Sequence, residues 1–433
     1  MNENSNPGLN TSLETATTKP TNVRFKIIVL TFLSIVIAYM DRANLSVASV
    51  TIMEEYGWNT AQWGVILASF FFGYVVLQIP AGWLADKIGG RRILAAGVGW
   101  WSFFTVATCW APGFNSMLFI RSLLGLGEAV TFPAETAIAS KWVPLKERAR
   151  AQAWNLSGMA LSLAFAAPLV AWIIAEFGWR MAFYSFGILG FIWTVVWLWY
   201  STDDPADHPG VNKQELQHIQ QGGGHSESLS ESAHWRVVLS KGPVWALAVN
   251  YFFQNYMWYM YMTWLPGYLV MARGFSIMKM GIYGMLPFLG AFIATNFAGY
   301  VSDKLSNAVG VTKARKYIMY AAFSGSALFL YLGSQAATGE MAILWITLST
   351  SCLSMNFSSF WALPIDLGPK SAGLISGVMN SFGTLAGIAA PIATGWIVAV
   401  TNSWEYALGV AVGLAVVGIV VCALFITGEQ VVD

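Results

Sequence analysis

The chain has 433 residues, of which 56% are hydrophobic and 10% charged, with a mean hydropathy of +0.56. Soluble domains carry about 25% charged residues, so this composition excludes that class and marks an all-α, polytopic membrane protein. A formal net charge of +1 excludes the concentrated basic surface that a nucleic-acid partner requires.

Residues 1–22 are polar and lack the apolar core of a cleavable signal, so the first span is expected to act as its own targeting signal. That span, 25–50, is long enough to cross a bilayer, which takes roughly 20 apolar residues. Inside it stand Asp41 and Arg42. A charge at that depth costs at least about 2.5–3.5 kcal/mol, so such residues face a bundle interior or an aqueous cavity. Either they serve transport or they form an ion pair that locks two helices. Further spans follow at 62–84, 93–111, 116–139, 151–176 and 181–201, then at 244–272, 278–301, 317–335, 341–363, 373–400 and 405–427. The long polar segment between the sixth and seventh spans holds one short amphipathic helix near 212–221 among Pro, Gly and Ser breakers. The expected organisation is a tail over 1–24, a six-helix bundle over 25–201, a central loop over 202–242, a second six-helix bundle over 243–427 and a tail over 428–433.

Lys and Arg accumulate in cytoplasmic loops. With a cytoplasmic N-terminus, 18 of the 23 basic residues fall on that side, against Arg180, Arg273 and Lys279 on the other and Arg42 and Arg121 within spans. Both termini and the central loop are therefore expected to be cytoplasmic.

The halves repeat. GWLADKIGGRR after the second span and GYVSDKL after the eighth share the pattern G-x-[LV]-[AS]-D-K-[IL], 217 residues apart. Such a repeat implies two bundles related by an axis along the membrane normal. Gly82 lets helices approach, Asp86 and Asp303 can accept hydrogen bonds at a neighbouring helix N-terminus, and Arg91 engages the inner surface; together these residues read as a conformational latch. Positive-inside anchoring alone accounts for Arg91 but not for the two aspartates.

In the fourth span Arg121, Glu128 and Glu135 recur every seven residues, two helical turns, and so share one face. Asp41 is placed to meet Arg121, whereas Glu128 has no evident partner. A buried carboxylate without a cation is a candidate proton carrier, so Glu128 and Asp41 are the expected coupling sites. Glu135 follows Pro133 near the cytoplasmic end and reads as a gating or helix-end residue. An anion in transit needs a cation at the midplane, and the fork of an arginine suits a carboxylate. Tyr39 and Tyr74 are candidates for the cavity wall. The second half has no charge deep in its spans, with Asp366 placed in the turn after the tenth, so its contribution is neutral: Asn250, Tyr251, Gln254, Asn255, Ser358, Ser359, Trp361 and Asn380 are the options. All four histidines lie in the central loop, which leaves coupling to carboxylates. Cys109, Cys352 and Cys422 show no metal or disulfide spacing, and no P-loop or HExxH is present, so neither a metal, a cofactor nor an enzymatic activity is expected.

DRANLSVA in the first span, QIPAGWLADKIGGRR, RSLLGLGEAVTFP and the 6+6 repeat together resemble the major facilitator superfamily and, within it, the anion:cation symporter family. HPGVNKQELQHIQQGGG is similar to the bacterial sugar-acid members of the glucarate and galactonate type, and related animal proteins include sialin and the vesicular glutamate transporters. The resemblance implies that Arg42 contacts substrate, that Arg121 relays charge between Asp41 and Glu128, and that Asn380, Ser358 and Trp361 occupy substrate-contact positions. Met159 and Tyr251 stand where the sugar-acid members tend to carry glutamine, and the seventh span is unusually aromatic, which keeps a less hydroxylated anion open.

The expected function is proton-coupled uptake of a small organic anion, a sugar acid first, by alternating access in a bacterial inner membrane, with one chain sufficient and the lipid bilayer as its surroundings. An anion exchanger or facilitator without proton coupling, a sodium-coupled carrier, and a receptor that binds without transport are the rivals.

Overall fold

In lipid every backbone polar group has to be satisfied within the chain, so long apolar runs form helices. The structure, a computed structural model, describes residues 19–221, 235–368 and 371–431, and no strand occurs among them. The first half comprises α1 (Val23–Val47), α2 (Ser49–Tyr56), α3 (Thr60–Ile88), α4 (Gly90–Ala107), α5 (Phe114–Glu128), α6 (Thr131–Trp142), α7 (Leu145–Phe177) and α8 (Trp179–Tyr200). After the short α9 (Lys213–Gln221) and α10 (Trp235–Leu239) come α11 (Gly242–Met271), α12 (Ile277–Gly284), α13 (Leu286–Val309), α14 (Val311–Ser334), α15 (Gly339–Leu367), α16 (Ala372–Thr401) and α17 (Trp404–Phe425).

Local chemistry sets the boundaries. The Asn59 side chain accepts from the Gln62 N–H while Gln62 accepts from the Asn59 N–H, a capping box that starts α3. Gly89, with φ of 102°, turns the chain from α3 into α4 in a region that side-chain-bearing residues avoid. The first, fourth and eighth spans are each broken, at Ala48, at Ala129 to Val130 and at Met285. The second break falls directly after Glu128, where the Thr131 hydroxyl donates to the Glu128 carbonyl at 2.8 Å.

Eleven segments among the described residues are long and apolar enough to cross a membrane. The exception among the expected spans is α11, 30 residues without a charge, whose asparagines, glutamine, tyrosines and tryptophans lower its hydropathy. The protein is thus an all-helical, multi-pass membrane protein. Asp366, expected in a turn, lies instead in the last turn of α15.

Helices α1 to α8 pack among themselves and α11 to α17 do likewise. Between the two sets, α3 runs along α16, α1 touches α11, and α7 meets α12 and α13. The α3–α16 seam is closed at the end away from the basic loops. The Thr60 hydroxyl donates to the Gly395 carbonyl at 3.0 Å, and a Cβ added to Gly395 would stand 2.3 Å from the Thr60 carbonyl oxygen. The Ser46 hydroxyl reaches the Met262 and Thr263 carbonyls near the same end. Toward the basic end the seam parts. There, α9 is tied to the start of α1 by buried Glu215, which accepts from the Val23 and Arg24 N–H groups and pairs with the Arg24 guanidinium at 3.2 Å.

Candidate functional site

The parted seam encloses a cavity of about 640 Å³ between α3, α6, α15 and α16. Tyr74, Trp361 and Asn380 line it, together with Gln78, Phe132, Thr136, Ser376 and Ser381. Above it, toward the closed end, lies a cluster of four buried charges on α1 and α5.

Close helix packing builds that cluster. A Cβ on Gly125 would stand 1.9 Å from the Phe70 carbonyl oxygen, so only glycine lets α5 press onto α3. This contact carries Arg121 and Glu128 toward α1. Arg42 Nε then meets Glu128 Oε2 at 2.8 Å, with both side chains almost wholly buried. The Arg42 guanidinium is framed by rings, its carbon 4.6 Å from the Tyr39 and Phe70 centroids and 5.3 Å from that of Tyr74. Arg42 and Tyr39 are not among the lining residues, but Tyr74 is, so one ring connects the framed guanidinium to the cavity's edge.

Glu128 therefore does have a partner, contrary to the expectation from sequence, and it is Arg42 from a helix 86 residues earlier. Asp41 and Arg121 do not form an ion pair. Asp41 Oδ2 accepts from the Thr105 hydroxyl at 3.2 Å, and among the described residues Asp41 Oδ1, Glu128 Oε1 and Arg121 Nε and Nη1 have no hydrogen-bond partner. Arg121 nonetheless lies in the electrostatic field of both Glu128 and Asp41. The four charges are thus unevenly bonded: Arg42 and Glu128 form one tight pair, Asp41 has a single hydrogen bond from Thr105, and Arg121 lies in the field of the two carboxylates. Low dielectric strengthens each of these interactions and makes every unpaired group costly.

Of the neutral residues, Asn380 is half-buried in the cavity wall, and Trp361 is 38% exposed there with its ring centroid 6.4 Å from that of Tyr251. Ser358 is not among the lining residues; its hydroxyl turns back to the Met355 carbonyl at 2.8 Å. Asn250 donates to the Gly418 carbonyl and Gln254 to that of Leu353, while the Asn356 amide donates to Gln254, so these amides hold helices together. Gln78 is a cavity residue that sequence reasoning misses. One turn after Tyr74, it accepts from the Thr384 hydroxyl at 3.2 Å across the seam, and a lone amide at helical spacing from Tyr74 is the signal that could have found it.

Gly82 and Asp86 fall in α3 and Asp303 in α13, and their side chains lie outside the described residues. Arg91 donates to the Ser201 hydroxyl at 3.1 Å and the Leu198 carbonyl at 2.6 Å, so it docks on α8 within its own half. Arg315 pairs with Asp366 at 3.1 Å in the other half.

Comparison with known proteins bears on this geometry. The chain is 37% identical over 413 residues to the chloroplastic ascorbate transporter of Arabidopsis thaliana, covering 95% of this chain and 76% of that one. It is 33% identical over 356 residues to a protein of Cupriavidus necator named as a probable sulfoacetate transporter, covering 82% of each. Human sialin is 29% identical over 402 residues, covering 85% of this chain and 81% of its own. Among solved structures, a bacterial homologue of the lysosomal transporter Spinster, inward-facing and occupied, shares the fold with a TM-score of 0.78 at 17% identity over 93% of this chain and 97% of that one. A D-xylose-proton symporter does so with a TM-score of 0.75 at 14% identity over 95% of this chain and all of that one. Residues 31–391 match the family described as the Major Facilitator Superfamily. A buried charge cluster beside a cavity, between two sets of helices sealed at one end, is the site of a carrier rather than an enzyme, and the chain belongs to the Major Facilitator Superfamily.

Proposed function

We propose that the protein is a proton-coupled symporter that takes up a small organic anion, a sugar acid first, by alternating access. The observation that carries this reading is the 2.8 Å Arg42–Glu128 pair buried at the cavity's edge. Protonating Glu128 removes the charge that neutralises Arg42. The guanidinium is then a buried, ring-framed cation without a counter-ion, and the carboxylate of an incoming anion takes the vacated place through two parallel hydrogen bonds. Proton and anion thus load together with little net charge. Asp41, held by Thr105 and the field of Arg121, is the second proton site, and Arg121 passes the change in charge between the two carboxylates.

The neutral wall reads the rest of the molecule. Gln78, Asn380, Ser376 and Trp361 offer hydrogen-bonding groups to hydroxyls. The names of relatives that carry ascorbate and sulfoacetate support an anionic substrate. Tyr74 and Trp361 in the cavity wall, with Tyr39 beside Arg42 and Tyr251 against Trp361 but outside the lining, favour a second substrate reading, a flatter and less hydroxylated acid. We read α11 as a further membrane crossing that makes twelve in two six-helix bundles, since its partners are the long spans α15, α16 and α17. Rocking of the bundles opens the α3–α16 seam on the far side. The latch role of Gly82, Asp86, Arg91 and Asp303, the placement in a bacterial inner membrane with cytoplasmic termini, and function as a single chain belong to the same proposal.

The test is made in liposomes with labelled substrate chosen from a panel of sugar acids, ascorbate, sulfoacetate and aromatic acids. Glu128→Gln is expected to lose accumulation driven by a proton gradient out of proportion to its effect on exchange. Gradient-driven accumulation at the wild-type level would overturn the assignment.

A further inference from the structure

Glu135 is a buried carboxylate to which the Arg42–Glu128 mechanism gives no task. It lies on α6 seven residues beyond Glu128, about 10.5 Å of helical rise toward the basic end, and is 2% exposed. Among the described residues no arginine, lysine or histidine stands within ion-pair distance of it. Of the described charges on the helices packed around it, Arg24 of α1 pairs with Glu147 and Glu215, Arg42 with Glu128, Lys87 of α3 lies over the Trp83 ring, Arg91 of α4 binds Ser201 and Arg92 pairs with Asp203, while Lys26 of α1 is exposed; the side chains of Lys146, Arg148 and Arg150 on α7 lie outside the described residues. From α7 the neutral Asn155 faces this region, donating to the Thr31 hydroxyl at 3.3 Å with its own Oδ1 unpartnered. The Tyr39 phenol on α1 is the titratable group in the field of Glu135, and it is also in the fields of Glu128 and Arg42.

The hydrogen bonding around Ser34 accommodates a proton on Glu135. Ser34 Oγ lies 2.7 Å from the Thr31 carbonyl oxygen and 3.0 Å from Glu135 Oε1. A hydroxyl has one proton to donate and a carbonyl oxygen has none. A serine within a helix places that proton on the carbonyl of the preceding turn, here at the shorter distance. The hydroxyl can instead donate to Glu135 Oε1, but with its proton on the Thr31 carbonyl the contact with Glu135 is made by the carboxyl's own proton, Oε1–H donating to Ser34 Oγ. Among the described residues Glu135 Oε2 has no hydrogen-bond partner, which suits a neutral acid and would leave a carboxylate severely under-solvated.

We propose that Glu135 is a further proton-binding site, occupied in this conformation, and that it receives the coupling proton from the Arg42–Glu128 region before releasing it at the basic end. The occupancy stands by itself; the relay role rests on the proton-coupled reading above. Tyr39, in the electrostatic field of both carboxylates, is the group assigned to carry the proton between them. Thr136 and Phe132, which flank Glu135 on α6, line the cavity and place the outlet beside it.

The experiment uses the full chain in liposomes. Infrared spectra in light and heavy water should show a protonated-carboxyl carbonyl band that Glu135→Gln removes and that Ser34→Ala shifts. The same Glu135→Gln variant should lose the dependence of net uptake on internal pH. If the band survives Glu135→Gln and the pH dependence is unchanged while Glu128→Gln uncouples, the Glu135 site is refuted and the proposed function stands. If Glu128→Gln remains fully coupled, it is the proposed function that fails. Should Glu135→Gln not fold, an unshifted band and an unaltered pH profile in Ser34→Ala refute the site. Thermal stabilisation by sodium chloride over choline chloride that disappears in Ser34→Ala would also overturn the proposal, by making the site one for a metal cation.

Discussion

The two halves of the molecule differ in the charges they bury. The first half buries Asp41, Arg42, Arg121, Glu128 and Glu135 beside neutral groups such as Asn44 and Asn155, and among the described residues Asp41 Oδ1, Glu128 Oε1, Glu135 Oε2 and two nitrogens of Arg121 have no hydrogen-bond partner. In the second half the buried polar groups are amides and hydroxyls that mostly reach backbone or one another, as in Asn250 to Gly418, Gln254 to Leu353 and the Tyr261–Ser349–Ser326 network. Its unpartnered atoms, such as Asn250 Oδ1 and Ser359 Oγ, are neutral. An incompletely bonded charge is a group whose best partner arrives or leaves during the cycle, whereas a bonded amide is a fastener. In the proposed mechanism the first half is the place where charge changes hands, and the second half supplies a neutral wall.

The largest effect expected from breaking this division is at Arg42. Arg42→Ala leaves Glu128 buried without its cation, a loss of about 3–5 kcal/mol for a buried pair, and should abolish substrate-induced thermal stabilisation. Arg42→Lys keeps the charge and loses the fork, so binding should weaken without disappearing. Next comes the seam. Gly395→Val places atoms against the Thr60 carbonyl and should hold the closed end apart, read as labelling by a membrane-impermeant thiol reagent of a cysteine introduced at Thr60. Smaller is the cost of unfastening the wall. Gln254→Leu orphans the Asn356 amide and should lower stability by about 1–3 kcal/mol, measured as melting temperature, with coupling intact. Smallest is the exposed Glu55–Arg180 pair, where Glu55→Gln should cost about 0.2–1 kcal/mol. Arg180 holds the Glu55 carboxyl below its usual range. That contribution is present above the unfolded carboxyl's pKa and is lost as pH falls through the lower folded one, so the stability difference between Glu55→Gln and wild type should vanish in acid.

The charged half is legible in the sequence because lipid makes charge conspicuous. Two adjacent charges in an apolar run and a seven-residue spacing on the fourth span are enough to single out Asp41, Arg42, Arg121, Glu128 and Glu135. Their pairing is not legible, since the Arg42–Glu128 contact joins helices 86 residues apart and depends on the Gly125 approach between α3 and α5. The same distance problem hides the cation of Glu128, which the sequence reads as unpartnered, whereas among the described residues Glu135 has no cation within ion-pair distance. In the neutral half, an Asn, Ser or Tyr reads alike as fastener or ligand until its direction is known. Ser358 and Asn250 turn to backbone carbonyls while Asn380 faces the cavity. Helix α11 shows the limit of hydropathy, because its buried tyrosines and amides make it less apolar than the other long helices.

The central claim is that Arg42 exchanges Glu128 for substrate when Glu128 takes a proton. Its most direct test is proton movement itself, followed by a pH-sensitive dye trapped inside liposomes that hold the protein and no imposed gradient. Adding substrate outside should acidify the interior in the wild type, and Glu128→Gln should abolish that signal while substrate binding persists. An interior pH that stays constant during wild-type substrate entry, or acidification preserved in Glu128→Gln, would contradict the claim.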